Sequence, residues 1–125
     1  MLTQAENELI TRVGPGTPMG DLMRRFWFPV YKSVKLRAGG PPKRIRLLAE
    51  NFVLYRADDG RLALYAEACP HRGASLALAR NEGCAIRCIF HGWKIDVEGK
   101  VIDVPSEPTE RERFGGPPAR NLTLL

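Results

Sequence analysis

Two short clusters concentrate the residues of this chain that can bind a metal. The first is Cys69-Pro70-His71-Arg72-Gly73 and the second is Cys88-Ile89-Phe90-His91-Gly92-Trp93. Together they take up both of the chain's two histidines and two of its three cysteines, in the order Cys-x-His, sixteen residues, Cys-x-x-His. Each cluster is rich in loop formers and comes after a stretch with strand character. Two thiolates and two imidazoles could hold tetrahedral zinc, but zinc knuckles usually contribute like ligands in pairs. Here each loop contributes one of each, and Cys-x-His is tight for a knuckle. A [2Fe–2S] cluster with different ligands on its two irons accounts better for the mixture: Cys69 and Cys88 as thiolates on one iron, His71 and His91 as imidazoles on the other.

The residues around these ligands carry a resemblance. Cys69-Pro70-His71-Arg72-Gly73-Ala74-Ser75-Leu76 and Arg87-Cys88-Ile89-Phe90-His91-Gly92-Trp93-Lys94-Ile95-Asp96 resemble the Rieske domain of ring-hydroxylating oxygenase large subunits. The opening is similar to the phthalate dioxygenase-like branch, in Leu2-Thr3 through Glu8, Gly16-Thr17-Pro18-Met19-Gly20 and Met23-Arg24-Arg25-Phe26-Trp27-Phe28-Pro29-Val30. The likeness runs from residue 1 to about 108. It implies a helical segment over 1–28, a Rieske [2Fe–2S] domain over 29–108, and a divergent tail over 109–125 whose composition leaves room for disorder.

The resemblance also implies a kind of cluster. High-potential Rieske proteins carry one further cysteine in each loop, and these form a disulfide; the matching positions here are Ala74 and Phe90. Where those proteins tend to have Gly-Ser after the second histidine, this chain has Gly92-Trp93. Fewer hydrogen bonds to the cluster leave its negative charge less stabilised on reduction. A potential near the bottom of the Rieske range of roughly −150 to +300 mV is therefore expected. Gly73 and Gly92 would let backbone amides approach the sulfides, or serve simply as turn glycines. Arg72 would meet a redox partner, a neighbouring subunit or solvent. Trp93 would pack beside the cluster and exclude water, and Cys84 would be a small buried or half-buried residue outside the motif.

Oxygenases of this kind activate O₂ at a second site, a mononuclear Fe(II) held by two histidines and a carboxylate on a large C-terminal domain. No histidine remains here for that site, so the chain alone should not hydroxylate a substrate. The expected function is electron transfer as the N-terminal part of an aromatic-ring hydroxylating oxygenase system. A reductase or ferredoxin would be the electron donor, and other oxygenase subunits would be further partners. A free-standing Rieske ferredoxin is the competing reading. The length of 125 favours the carrier; the helical opening and the Cys-Pro-His-Arg-Gly-Ala-Ser run favour the oxygenase. The segment from Phe114-Gly115-Gly116-Pro117-Pro118 to Leu125 is unlike a strand pair, which leaves a truncated, frameshifted or trimmed end open.

The elements that must position the two loops are short. Residues 1–13 have the apolar spacing of an amphipathic helix, ended by Gly14-Pro15-Gly16. Thr17-Pro18 reads as an N-cap and the first helical residue, and Met19, Leu22, Met23 and Phe26 predict a helix over 18–26 with that face inward. Strand propensity appears next in Val30–Val34, Ile45–Leu48, Phe52–Arg56 and Leu62–Tyr65, with a hairpin turn at Asp58-Asp59-Gly60. Trp93–Asp96 and Lys100–Asp103 flank a turn at Val97-Glu98-Gly99. The fold class is all-β: a Rieske-type antiparallel β-sandwich or barrel with two cluster-binding loops, preceded by short N-terminal helices.

Composition narrows the remaining classes. With 44% hydrophobic and 26% charged residues the chain is globular and not disordered. Three cysteines do not make a disulfide scaffold. The net charge of +5 has its densest basic stretch between Lys35 and Arg46, which contains no aromatic residue and so does not suit nucleic acid. A solvated loop leading into a strand is the plainer reading, and docking of an acidic protein is the other. No apolar run reaches a membrane span and no secretion signal is visible, which points to the cytoplasm.

Overall fold

The computed structural model describes residues 1–105. The tail expected over 109–125 lies outside the described residues. Two short helices come first. In α1 (Gln4–Thr11) the Thr3 hydroxyl accepts the Glu6 amide at 3.3 Å, and the Glu6 carboxylate accepts the Thr3 amide at 2.8 Å. These reciprocal bonds satisfy two of the amides that a helix start leaves over. In α2 (Pro18–Met23), Thr17 caps Gly20 at 3.2 Å and Pro18 occupies the first turn, as its sequence predicts. The helix stops at Met23, short of Phe26. The apolar face expected to point inward does not: Leu22 and Phe26 are exposed. Gly20 is the buried residue of α2, packed so tightly that a Cβ there would lie 2.3 Å from the Gly14 carbonyl oxygen. The face that packs is the small one.

The strand expected at Val30–Val34 is absent. Ser33–Lys35 form a 3-10 turn, and Val34 is 91% exposed. Backbone carbonyls in this segment go to an arginine instead of a neighbouring strand. The Arg56 Nε donates to the Leu36 carbonyl at 2.9 Å, and its Nη2 reaches both the Ser33 carbonyl and the Ser33 hydroxyl.

Beyond it lie two antiparallel sheets. The first joins β1 (Lys43–Leu47), β2 (Glu50–Arg56) and β3 (Leu62–Ala66) in that order. The second joins β4 (Arg80–Glu82), β5 (Ala85–Arg87), β6 (Lys94–Asp96) and β7 (Val101–Asp103). The basic stretch runs from the 3-10 turn through a loop into β1, which holds Lys43, Arg44 and Arg46. The β4–β5 hairpin has no clear sequence signal, because strands of three residues carry too little alternation to register.

Alternation along β2 shows how the first sheet is used. Val53 and Tyr55 point into the main core with Ala63 and Tyr65 of β3, Ile86 of β5 and Ile95 of β6. Phe52 and Leu54 point the other way, into a smaller cluster with Leu36 and Leu64, flanked by Ile45 and Leu47. Both faces of β2 are thus covered, and the main core lies between the two sheets. Within it the Tyr55 and Tyr65 hydroxyls meet at 3.2 Å, which satisfies two polar groups that burial would otherwise penalise. That burial pushes the Tyr55 phenol up to about 12.

The β1–β2 turn is made by Leu48 and Ala49 at φ of 48° and 66°, a left-handed pair that hairpins usually assign to Asn-Gly. Its geometry is supported from outside: Arg24 donates to the Leu48 carbonyl at 3.2 Å and to the Glu50 carboxylate at 2.8 Å. The same guanidinium reaches the Val13 carbonyl at 3.1 Å, so one side chain joins the helical opening to the first sheet. A non-glycine residue in this conformation costs about 1–2 kcal/mol. Ala49→Gly is therefore expected to raise stability by up to about 1 kcal/mol in chemical denaturation, once the added chain entropy of glycine is subtracted.

Candidate metal centre

Both motif loops close by the same pair of backbone hydrogen bonds. In the first, the Cys69 amide donates to the Ala74 carbonyl at 2.8 Å and the Gly73 amide donates to the Cys69 carbonyl at 2.9 Å. In the second, the Cys88 amide donates to the Trp93 carbonyl at 2.9 Å and the Gly92 amide donates to the Cys88 carbonyl at 3.0 Å. Each cysteine starts such a turn and a glycine four positions later ends it, at φ of 72° for Gly73 and 76° for Gly92. The glycine amides are thus occupied in closing the turns. The backbone amides directed at the Cys69 sulfur are those of His71 and Arg72.

The loops sort their donors by depth. Cys69 and Cys88 are each 3% exposed and belong to the same core cluster, the Cys88 sulfur lying close enough to raise the Cys69 thiol. His71 and His91 are half-buried at the rim, with ring centroids 4.5 Å apart and planes at 71°. The donor set is therefore segregated: sulfur beside sulfur inside, imidazole beside imidazole outside. Among the described residues no group of three or more metal-binding side chains is gathered as a single-ion site. A binuclear cluster with two thiolates on one iron and two imidazoles on the other fits that two-and-two arrangement. Burial pushes the Cys69 thiol up to about 11, with the Cys88 sulfur adding to the rise and the two amides opposing it. At neutral pH such a thiol stays protonated until positive charge arrives, so metal binding here would release protons.

Around this group the rim is uneven. Trp93 is buried and lies flat against His71, centroids 4.6 Å apart and planes within 8°. A second-loop side chain therefore covers a first-loop imidazole. Phe90 packs beside His91 at 4.1 Å and is itself exposed. With Ile89, Leu78 and the exposed Arg72 it lines a shallow open depression next to the loops. Cys84 is not buried, contrary to expectation: it sits in the β4–β5 turn, exposed, with its thiol donating to Asp59 at 3.2 Å. All three cysteines are free, and Ala74 and Phe90 offer no disulfide.

Two polar ties at the loop bases leave no mark in the sequence. Glu67, at the base of the first loop, accepts from the Ser75 hydroxyl and from Arg44. Arg87, just before Cys88, bonds Glu82, Asp103 and the Gly92 carbonyl. The acidic partners lie five and sixteen residues from Arg87, so nothing short of the tertiary fold shows the grouping.

Residues 26–114 match the Rieske [2Fe-2S] domain, and the chain belongs to that family. It is 47% identical over 112 residues to the 3-chlorobenzoate-3,4-dioxygenase oxygenase subunit of Comamonas testosteroni, covering 90% of this chain and 26% of that protein. It is also 47% identical over 109 residues to the phthalate 4,5-dioxygenase oxygenase subunit of Pseudomonas putida, covering 86% and 25% respectively. Among solved structures, the reduced complex between oxygenase and ferredoxin in carbazole 1,9a-dioxygenase aligns with a TM-score of 0.69 at 29% identity, over 79% of this chain and 25% of that one. The chain spans about a quarter of the length of the curated relatives it matches. The resemblance carried by the motif residues thus holds, as does the all-β fold. Among the described residues no helix is long and apolar enough to cross a membrane.

The two closing glycines should not tolerate substitution equally. A Cβ on Gly73 meets nothing within 4 Å, whereas one on Gly92 would lie 2.8 Å from the Pro105 ring. Gly73→Ala carries the left-handed strain alone, about 1–2 kcal/mol. Gly92→Ala adds the clash, and is expected to lower the thermal midpoint further than Gly73→Ala does.

Proposed function

We propose that this chain is an electron-transfer module built on a low-potential Rieske [2Fe–2S] cluster. Cys69 and Cys88 would hold the inner iron, and His71 and His91 the outer one. The observation that carries the reading is the segregation of donors: two thiols buried in one core cluster and two imidazoles packed together at the rim. When bound, the cluster takes up and passes on single electrons. The protein's part is to exclude water from the sulfur side, to present the imidazole side outward, and to stabilise anionic sulfur with the His71 and Arg72 amides. Exposed Phe90, Ile89 and Leu78 beside the imidazoles give an electron donor an apolar place to dock, with Arg72 at its edge.

The oxygenase reading is favoured over the free carrier by the relatives. The 3-chlorobenzoate and phthalate dioxygenase relatives are oxygenase subunits, of which this chain covers about a quarter. On this reading the chain is the N-terminal part of an aromatic-ring hydroxylating system. It would take electrons from a reductase or ferredoxin, as the carbazole oxygenase is found in complex with a ferredoxin. The mononuclear iron and the substrate site would lie elsewhere in such a system. Free cysteines throughout suit a reducing compartment such as the cytoplasm.

Anaerobic reconstitution of the 125-residue chain with iron and sulfide tests this. The expected result is a coloured protein whose dithionite-reduced form gives the electron spin resonance signal of a reduced [2Fe–2S] centre. The midpoint should lie below zero, towards the lower end of roughly −150 to +300 mV. Cys69→Ser and His91→Ala should each lose the signal. A colourless, spin-silent protein with stoichiometric zinc would overturn the reading, and a midpoint well above zero would overturn its low-potential part.

A further inference from the structure

We infer that Arg87 is a positioning residue for the cluster: its guanidinium holds the Gly92 carbonyl, and through that one peptide it sets both rim imidazoles. This rests on the proposed ligand set. The geometry comes first. Arg87 lies at the end of β5 with its side chain 20% exposed. Its Nη1 donates to the Gly92 carbonyl at 2.6 Å and to the Asp103 carboxylate at 3.1 Å, and its Nε donates to Glu82 at 2.8 Å. A planar fork with several fixed donors can meet three acceptors at once; an ammonium of similar reach is a point charge and cannot hold the same geometry.

The place of that carbonyl is what gives the contact consequence. Gly92 comes after His91 and before Trp93, so the peptide held by Arg87 lies directly between the second imidazole and the indole stacked on the first. Gly92 is in the left-handed region, where a rotation of its peptide meets little side-chain resistance. Pro105 closes one side of it, and Arg87 lies on another. A flexible position bearing on both rings is thus fixed by an arginine anchored to β4 through Glu82 and to β7 through Asp103. The first loop has no counterpart: Ala68 precedes Cys69, and its base is tied by Glu67, Ser75 and Arg44.

Charge alone would not explain the arrangement. Glu82 also has Arg80 at 3.5 Å and Lys94 at 3.8 Å, so its carboxylate is neutralised without Arg87. What Arg87 alone contributes, among the residues bonded to this group, is the bond to the loop carbonyl.

The test uses the reconstituted 125-residue chain and four variants: Arg87→Gln, Arg87→Lys, Asp103→Asn and, as a control, Arg80→Gln. Arg80→Gln removes a charge from the same Glu82 without touching the loop. Three quantities are read on the folded fraction: the anisotropy of the reduced-state electron spin resonance signal, the rate of iron release to a chelator, and the thermal midpoint. Arg87→Gln is expected to shift the signal and to speed iron release about tenfold or more, the usual scale when a group supporting a metal ligand is removed. Arg87→Lys should recover part of the release rate but not the wild-type signal. Asp103→Asn, which loosens one of the two anchors of Arg87, should change both in the same direction but less than Arg87→Gln does, and Arg80→Gln should keep both within about twofold of wild type. An Arg87→Gln protein that melts lower yet keeps the wild-type signal and release rate overturns the proposal, because it shows a purely structural role. Should Arg87→Gln not fold, a wild-type signal and release rate in Arg87→Lys overturns it equally. A wild-type chain with no cluster signal overturns the ligand assignment as well, so the two failures are distinguishable.

Discussion

The whole centre depends on one constraint: each cysteine must hold its sulfur inside the core while its own backbone turns back out towards solvent. The pair of hydrogen bonds that closes each loop achieves this. Cysteine amide to the carbonyl five residues on, and glycine amide back to the cysteine carbonyl, use up the polar groups nearest the buried sulfur. Without those bonds, burying Cys69 and Cys88 would strand amides and carbonyls in an apolar setting. With them, residues between the cysteine and the glycine are left free to project outward, and the histidines fall among these.

The sheets can be understood as the support for that arrangement. The two loops lead out of different sheets, Cys69 three residues after β3 and Cys88 directly after β5. Tyr55, Tyr65, Ile86 and Ile95 fill the space between the sheets, and the two sulfurs join the same apolar cluster. Packing density in such a core resists displacement, so the distance between the loops is held by many contacts at once. The polar ties then refine each loop in its own way, through Glu67 and Ser75 on one side and Arg87 on the other.

Much of this is legible in the sequence, and the reasons for the misses differ. Cys69, His71, Cys88 and His91 stand out because rare residue types recur at tight spacing, a signal that needs no tertiary information. The β2–β3 hairpin is legible from Asp58-Asp59-Gly60, a turn with strong local chemistry. The β1–β2 turn at Leu48-Ala49 is not, because its residues contradict their own conformation and Arg24, 24 residues away, helps to hold them there. Val30–Val34 has strand propensity but no strand beside it, and propensity without a partner makes no sheet. Met19, Leu22, Met23 and Phe26 have helical spacing, but the six-residue helix packs through Gly20 and leaves Leu22 and Phe26 outside. Cys84 is expected inside on the strength of residue type, and the hairpin it sits in places it outside.

The two loops share a backbone but differ by one residue in where the histidine stands, second after the cysteine in one and third in the other. That offset breaks the equivalence of the two rings. His71 lies under an indole that is itself buried, while His91 leans on a phenyl ring that is 63% exposed. The two imidazoles therefore sit in different dielectrics, although they belong to one site. Water reorganises more freely around the ring beside Phe90 than around the ring beneath Trp93. A charge arriving at the rim is thus met on one side by mobile solvent dipoles and on the other by fixed aromatic surface, so the centre has a soft flank and a stiff one.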